Sequence, residues 1–351
     1  MGFGGQEIRI LTEARWLLDH GWHALIACQP DSPLLHETRA AGVPALAIPI
    51  RRVADLRALQ LLRRAMKDRG AALVHTHSSV DSWLGALSAR SLGIPVVRSR
   101  HVAIPIRSPL VYRMADRIIT TGEAIARIVA AAGVDPAKIV SIPAGVDTTR
   151  FHPGVSGQAV RAELGLPSTP AGKVVGLVAN VRGSKGHRYF LEAARDVLRA
   201  LPGTRFLVVG DGVGFDDVRR CVHELGLDDH VIMTGFRRDI PEVMAALDVL
   251  VLPSTRSEAT SQVIPQALAV GTPVAATAVG GIPEIVRDGE NGRLVPPADA
   301  VALAAAIVEL LRDRARARAM ARAGQAEVQA RYTVDVMMAR TTAVYAELLG
   351  D

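Results

Sequence analysis

The sequence predicts an α/β protein built from two doubly wound domains, each a parallel sheet flanked by helices. Three observations carry this. Short β-forming apolar runs alternate with amphipathic helical stretches along the whole chain, the pattern of parallel sheets. The length of 351 residues suits about two domains at roughly 150 residues each. A stretch rich in Pro and Gly, 143–157, separates two such alternating series and reads as a linker.

The elements follow in order. A helix over Glu7–His20 precedes strands at His23–Cys28 and Ala45–Ile48. A helix with a basic face covers Leu56–Arg69, and the strand Ala72–His75 runs into His-Thr-His. Helix Ser82–Leu92, strands Pro95–Arg98 and Arg117–Thr120, helix Gly122–Ala132 and strand Lys138–Ile142 complete the first half. In the second half, strands are expected at Val174–Ala179, Arg205–Val209, His230–Thr234, Val249–Leu252, Pro273–Ala276 and Gly292–Val295. Helices are expected at Tyr189–Ala200, Asp216–Leu225 and Ile240–Leu247, with a long Ala/Arg-rich one over Asp299–Arg322 and a last one over Thr333–Leu349. The expected domains are 1–153 and 154–330, with 331–351 a terminal helix crossing back to the first.

Composition narrows the function. The chain is 49% apolar and 22% charged, which excludes collagen-like, disordered and disulfide-scaffold classes. The two cysteines, Cys28 and Cys221, read as lone buried thiols of a reducing compartment. No apolar run reaches the roughly 18 residues of a membrane span, and the first residues resemble neither a signal nor a transit peptide. The expected location is the cytoplasm. The net charge of +6 is uneven: residues 1–153 hold 19 basic and 12 acidic residues, a balance of +7, whereas 154–351 hold 22 and 23, a balance of −1. A basic first half favours an anionic partner, such as acidic lipid on the cytoplasmic face of the inner membrane or a phosphorylated acceptor; solubility alone also accounts for it. Nucleic acid is disfavoured, since the bases are dispersed and aromatics make up only 4%. Of the 41 basic residues only Lys67, Lys138, Lys173 and Lys185 are lysine, so each lysine carries some information.

Four places suit chemistry. Gly4-Gly5 opens a helix where backbone N–H groups can approach a phosphate or sugar; a plain turn is the other reading. Arg182 and Lys185, in Asn180-Val-Arg-Gly-Ser-Lys-Gly-His187, follow an apolar strand where a diphosphate needs cations, and the alternative is a charged surface loop. After strand Val249–Leu252, a helix is expected to start near Ser261, with Pro265 in its first turn. The N–H groups of Thr260, Ser261 and Gln262 then form an anion cradle between Glu258 and Gln266. That arrangement suits a nucleotide sugar; the alternative is a capped helix with a surface Glu. The fourth place is Arg98-Ser-Arg100-His101, with His75 and His77 on the same sheet edge. No carboxylate companion is visible at metal-ligand spacing, so a polar lining for a sugar is favoured over a metal site.

These motifs, in this order, resemble the retaining glycosyltransferases of family 4, which have the GT-B fold of two Rossmann-like domains facing a cleft. The resemblance rests on Gly4-Gly5-Gln-Glu7, Arg182-Gly-Ser-Lys185-Gly, Val209-Gly-Asp-Gly, Thr234-Gly-Phe, Val251-Leu-Pro-Ser254, Glu258…Gln266-Ala-Leu-Ala, Gly271-Thr-Pro-Val, Val279-Gly-Gly-Ile-Pro-Glu284 and the hinge-like Ile142–Pro153. It implies that Gly4 and Gly5 lie over the donor's diphosphate and sugar, with Gly210 among the donor-binding residues. His101 would sit beside the sugar. Arg182 and Lys185 would hold the diphosphate and stabilise the leaving nucleotide, with no metal ion and no cofactor needed. Glu258 would meet sugar hydroxyls and position 266 the ribose, while the loop with Phe236, Arg237 and Arg238 would flank the base.

The implied reaction is hexosyl transfer, with retention, from a nucleoside-diphosphate sugar to a cell-envelope glycan or lipid-linked acceptor. Two positions depart from the family: Gln266 stands where its second Glu is usual, and Ala144 stands where Asn is usual. A catalytically impaired binding relative and another GT-B enzyme, such as an epimerase, are the competing readings. Only Met1-Gly-Phe precedes Gly4, so the first strand of the N-terminal domain is expected to be missing, a shortfall on the order of 10–15 residues.

Overall fold

A computed structural model describes residues 4–51, 55–106, 108–167, 172–256 and 258–350. The chain divides into two units: residues 1–145 with 334–351, and residues 146–333. The boundary falls at Gly145/Val146 rather than after residue 153, because Val146 and Phe151 are buried in the core of the second unit. There the Val146 N–H donates to the Tyr332 carbonyl at 2.7 Å, next to a parallel bridge between Val146 and Thr333.

Unit 1 runs α1 (Gly5–Asp19), β1 (Ile26–Cys28), α2 (Pro33–Ala40), β2 (Ala45–Ala47), α3 (Leu56–Asp68), β3 (Val74–Thr76), α4 (Ser79–Arg90), β4 (Val96–Arg100), α5 (Leu110–Arg113), β5 (Arg117–Thr120), α6 (Glu123–Ala131) and β6 (Ile139–Ser141). All its strand pairings are parallel, but they form two sheets, β1-β2 and β3-β4-β5-β6. Among the described residues no strand joins β1 to β3, and the first element is α1. This helix packs into both halves. Ile10, Leu11 and Ala14 meet Ile26 and Val43, while Trp16 and Leu17 meet the cluster of Val97, Ile119 and Ile142.

Unit 2 runs α7 (Gln158–Glu163), β7 (Lys173–Val178), α8 (His187–Ala200), β8 (Thr204–Val209), α9 (Phe215–Glu224), β9 (Val231–Gly235), α10 (Ile240–Ala246), β10 (Val249–Leu252), α11 (Val263–Val270), β11 (Val274–Thr277), β12 (Arg293–Val295), α12 (Ala300–Arg312) and α13 (Arg314–Arg331). Its six strands make one parallel sheet in the order β12-β11-β10-β7-β8-β9. Alternation along each strand feeds two cores. In β10, Leu250 and Leu252 face one core with Ile264 and Leu268, whereas Val249 and Val251 face the other with Leu303 and Ile307. The order of strands reverses between β7 and β10, which pair directly through Val249–Val175 and Leu250–Gly176. Loops at the carboxyl ends of such a pair diverge and leave room for a ligand.

The last helix, α14 (Val334–Leu349), belongs to unit 1, where Met337, Met338, Val344 and Tyr345 pack on Val97, Ile119 and Ile142. Three departures from expectation have local causes. The stretch Asp299–Arg322 is two helices rather than one, broken at Asp313, whose carboxylate caps α13 by accepting from the Arg316 N–H at 2.9 Å. Helix α2 arises where no element was expected, started by Ser32 (its Oγ accepts from the Leu35 N–H) and by Pro33 in the first turn. Cys28 and Cys221 are free thiols in different units, but they are half-buried rather than buried. Among the described residues no helix is long and apolar enough to cross a membrane.

Candidate functional site

In unit 2 the loops after β7 and β10 meet. Gly186 makes this possible: it has φ +72°, and a Cβ there would lie 1.8 Å from the Pro253 carbonyl oxygen. The Thr255 N–H donates to the Ser184 carbonyl at 3.0 Å, tying the loops together. Across this junction Lys185 Nζ donates to Glu258 Oε1 at 2.6 Å, and Ser254 Oγ donates to the same oxygen at 2.6 Å. Both side chains of the ion pair are largely buried, 12% and 8% exposed. A third loop supports the carboxylate from behind. Gly280 has φ +58°, with a Cβ position 2.0 Å from the Glu258 carbonyl oxygen, and the Gly281 N–H donates to the carbonyls of Glu258 and Ala259 at 3.1 Å. Any side chain at 280 would push this backbone apart.

The other expected residues of unit 2 fall around this pair. Arg182 is exposed and forms no ion pair among the described residues. Gly210, at the end of β8, has φ +136° and would place a Cβ 1.9 Å from the Ala179 carbonyl. Helix α11 begins at Val263, two residues later than expected, with Pro265 in its first turn. Thr260 and Ser261 precede it, Gln262 caps it, and half-buried Gln266 donates its N–H to the Gln262 carbonyl at 3.1 Å. Phe236 is 65% exposed, with the Arg238 guanidinium 5.8 Å from its ring centre. Arg237 is already engaged: it holds Glu163 with two hydrogen bonds of 2.7 and 2.8 Å and also bonds Asp239, which keeps its guanidinium charged beyond the usual range. Sequence reasoning did not single out His187. Burial, and then the charge of Lys185, pushes this imidazole down to about 4.

In unit 1 the predicted residues gather at the carboxyl ends of β3 and β4. Gly4 caps α1, and its N–H is taken by Glu7 Oε2 at 2.9 Å; neither Gly4 nor Gly5 has a positive φ. His75 bonds Tyr345 Oη at 2.6 Å and Ser99 Oγ at 2.8 Å, while His77 Nδ1 and His101 Nε2 share a hydrogen bond of 3.1 Å. Burial holds all three imidazoles below their usual range and so favours the neutral form.

A carboxylate companion for these histidines exists after all, from a helix the sequence could not place beside them. One ligand atom each from Glu13, His75 and His77 lie within 4.8 Å of one another. That carboxylate already has a cation, since Arg9 Nε donates to Glu13 Oε1 at 2.6 Å inside the protein. A metal ion would have to share the space with that guanidinium, which argues for a self-sufficient polar cluster.

On the opposite face of β4 lie Arg98 and Arg100, 3% and 9% exposed. Neither forms an ion pair among the described residues; Nε and Nη1 of Arg98 and Nε of Arg100 are buried without a hydrogen-bond partner, while Arg100 Nη2 donates to the Ile104 carbonyl. The Arg98 guanidinium lies 4.1 Å from the centre of the Tyr112 ring, and Arg100 Nη1 donates to Tyr112 Oη at 2.7 Å. The Asp81 carboxylate and the Tyr112 hydroxyl offset part of the cost of burying Arg98.

Comparisons with known proteins agree with the topology. Residues 3–150 match the family described as Glycosyltransferase Family 4, and residues 172–313 match the family Glycosyl transferases group 1. A D-inositol 3-phosphate glycosyltransferase of Segniliparus rotundus is 35% identical over 73% of the chain, a match that spans 62% of that relative's length. A 2-deoxystreptamine glucosyltransferase of Streptomyces kanamyceticus is 32% identical over 80% of the chain and 78% of the relative. The crystal structure of Anabaena HepE in complex with UDP and glucose superimposes with a TM-score of 0.86 at 23% identity, covering 99% of this chain and 97% of that one, which speaks to fold alone. With both halves matched in order and a relative covered over most of its length, the chain belongs to glycosyltransferase family 4 and has the GT-B fold.

Proposed function

We infer that the protein is a retaining, metal-independent hexosyltransferase. Unit 2 takes a nucleoside-diphosphate sugar, and unit 1 presents a hydroxyl of a cell-envelope glycan or lipid-linked acceptor. The observation that carries this reading is the Lys185–Glu258 pair where strand order reverses. It sets a cation suited to a diphosphate beside a carboxylate suited to sugar hydroxyls. The names of the two relatives, which pair glycosyl transfer with D-inositol 3-phosphate and with 2-deoxystreptamine, support a polar acceptor.

In this reading the bond between the sugar's anomeric carbon and the diphosphate oxygen breaks while the acceptor oxygen bonds to the same face. The acceptor proton passes to the departing phosphate. Lys185 turns from Glu258 to the phosphates and, with Arg182, takes up their growing charge. Glu258, released, accepts from sugar hydroxyls, and neutral His101 hydrogen-bonds the sugar. The basic half of the sequence motivates an acceptor at the cytoplasmic face of the membrane.

The test is a panel of UDP-, GDP- and ADP-sugars with EDTA present, reading nucleoside diphosphate release and then the anomeric configuration of any product by NMR. An α-linked product from an α-linked donor is expected. Loss of activity in EDTA, or a β-linked product, would overturn the metal-independent or the retaining assignment. Tight donor binding with no release from any donor would favour the binding-only reading that Gln266 suggests.

A further inference from the structure

We propose that the outer face of α3 and α4 in unit 1 docks on an anionic lipid bilayer. Helix α3 and its C-cap, residues 56–69, hold five basic residues and one acidic, a balance of +4 within the +7 of the first half. All five, Arg57, Arg63, Arg64, Lys67 and Arg69, are exposed, and apart from Arg64, which meets Asp68, none forms an ion pair among the described residues. Leu56 and Leu61 are exposed among them, 73% and 46%, while Ala58, Leu62 and Met66 turn inward. Helix α4 lies alongside, tied by Ser88 Oγ, which donates to the Leu59 carbonyl at 3.2 Å. Its outward stripe is apolar: exposed Val80 and Leu87 flank half-buried Trp83 at helical spacing. Exposed Leu110 continues the stripe on α5, which packs against α4.

Water suits the bases of this face but not the apolar side chains set among them. A bilayer interface suits both. The leucines enter the acyl boundary and the Trp83 ring sits at head-group level. The long bases lay their stems on the apolar side chains and reach lipid phosphates. The neighbouring acids are already occupied. Asp55 accepts from the N–H groups of Arg57 and Ala58, Asp81 accepts from those of His77 and Ser78, and Asp116 pairs with Arg90. Phosphate head groups therefore meet little opposing charge. A soluble acidic chain would match the bases and leave the leucines in water. The docking face rests on α3, α4 and α5 alone; that it brings unit 1 to a lipid-linked acceptor rests on the transferase reading.

The experiment co-sediments the whole protein with phosphatidylcholine vesicles and with vesicles in which about a third of the lipid is phosphatidylglycerol, at low and high salt. Partition onto the anionic vesicles is expected to exceed that onto neutral ones at least about tenfold and to fall as salt rises. Brominated acyl chains in the anionic vesicles should quench tryptophan emission, and Trp83→Phe should remove that quenching. Arg57→Ser/Arg63→Ser/Lys67→Ser is expected to lower the partition at least about fivefold, and Leu87→Ser about threefold, with unchanged circular dichroism spectra because the replaced side chains are exposed. The salt series tests the charges without any variant.

Equal partition onto neutral and anionic vesicles, or undiminished partition by the folded triple variant, overturns the docking face. Anionic binding without quenching overturns the bilayer as occupant, and equally tight binding to polyglutamate then identifies an acidic chain. Donor turnover is measured on the same samples. Vesicle binding by a protein with no turnover on any donor fails the transferase reading and leaves the docking face standing. Turnover without vesicle binding does the reverse.

Discussion

The two units use buried charge in opposite ways. In unit 2, Lys185 and Glu258 come from loops far apart in sequence and neutralise each other across a continuous six-stranded sheet. In unit 1, where the strands form two separate sheets, Arg98 and Arg100 are buried with donors unmatched. The first arrangement is stable without ligand and must be opened by one. The second keeps its charge inside the fold on Tyr112, the Ile104 carbonyl and the field of Asp81.

The largest test of this contrast is Lys185→Ala. Turnover is expected to fall about 10²–10³-fold, as for the loss of one stabilising donor in a preorganised site. Because Glu258 is then buried without its cation, stability also falls, by roughly 3–5 kcal/mol in urea unfolding. The double variant Lys185→Met/Glu258→Gln is expected to regain most of that stability while remaining inactive, which separates the structural loss from the chemical one. An active Lys185→Ala variant would remove the phosphate role from this residue.

Gly280→Ala comes next. Its positive φ and the 2.0 Å approach to the Glu258 carbonyl predict a loss of roughly 2–5 kcal/mol, together with reduced turnover, because the Glu258 backbone must move. A thermal melt and a rate measurement on the same sample check both.

Acid sharpens the comparison from the other side. His187 titrates near 4 in the folded chain against an ordinary 6.5, so the unfolded chain takes up the proton first. Its contribution is full above pH 6.5 and is lost as pH falls toward 4, roughly 2 kcal/mol of it between pH 7 and pH 5. His187→Leu should flatten that slope in denaturation curves. Unit 1 carries three histidines shifted in the same direction, His75, His77 and His101, and should be the first to open on acidification. Hydrogen exchange resolved along the chain at pH 7 and pH 5 checks the order. The smallest effect is Asp313→Ala, which removes the cap of α13 at a cost of about 1 kcal/mol, read as a small drop in Tm.

Much of the fold was legible in the residues. Strands such as Arg117–Thr120 and Val249–Leu252 are short apolar runs between turn signals, and the structure places them where periodicity does. Helix α2 is too short for its pattern to stand out, and its signal was the Ser32-Pro33 start. Asp313, set between two arginines in a uniformly helical composition, was the one sign that Asp299–Arg322 breaks. The candidate site was legible as motifs but not as pairs. Lys185 meets Glu258 only because β7 and β10 are neighbours in the sheet, and Glu13 meets His75 only because α1 packs beside β3. Neither adjacency is written in local sequence. Gly280 shows the same limit: its motif was visible, but its reason, the carbonyl of Glu258, lies in another loop.

The last helix has a consequence for how the protein is made. His75 takes a hydrogen bond from or gives one to Tyr345, and Trp16 Nε1 donates to Asp335 at 2.7 Å, so unit 1 is closed by residues from both ends of the chain. All of residues 146–333 are synthesised between its two parts. At ordinary ribosomal speed that is a wait on the order of ten seconds or more, during which unit 2 can fold completely while the unit 1 cluster of Val97, Ile119 and Ile142 lacks its cover from α14. Translation order therefore exposes unit 1, not unit 2, to chaperones and to aggregation.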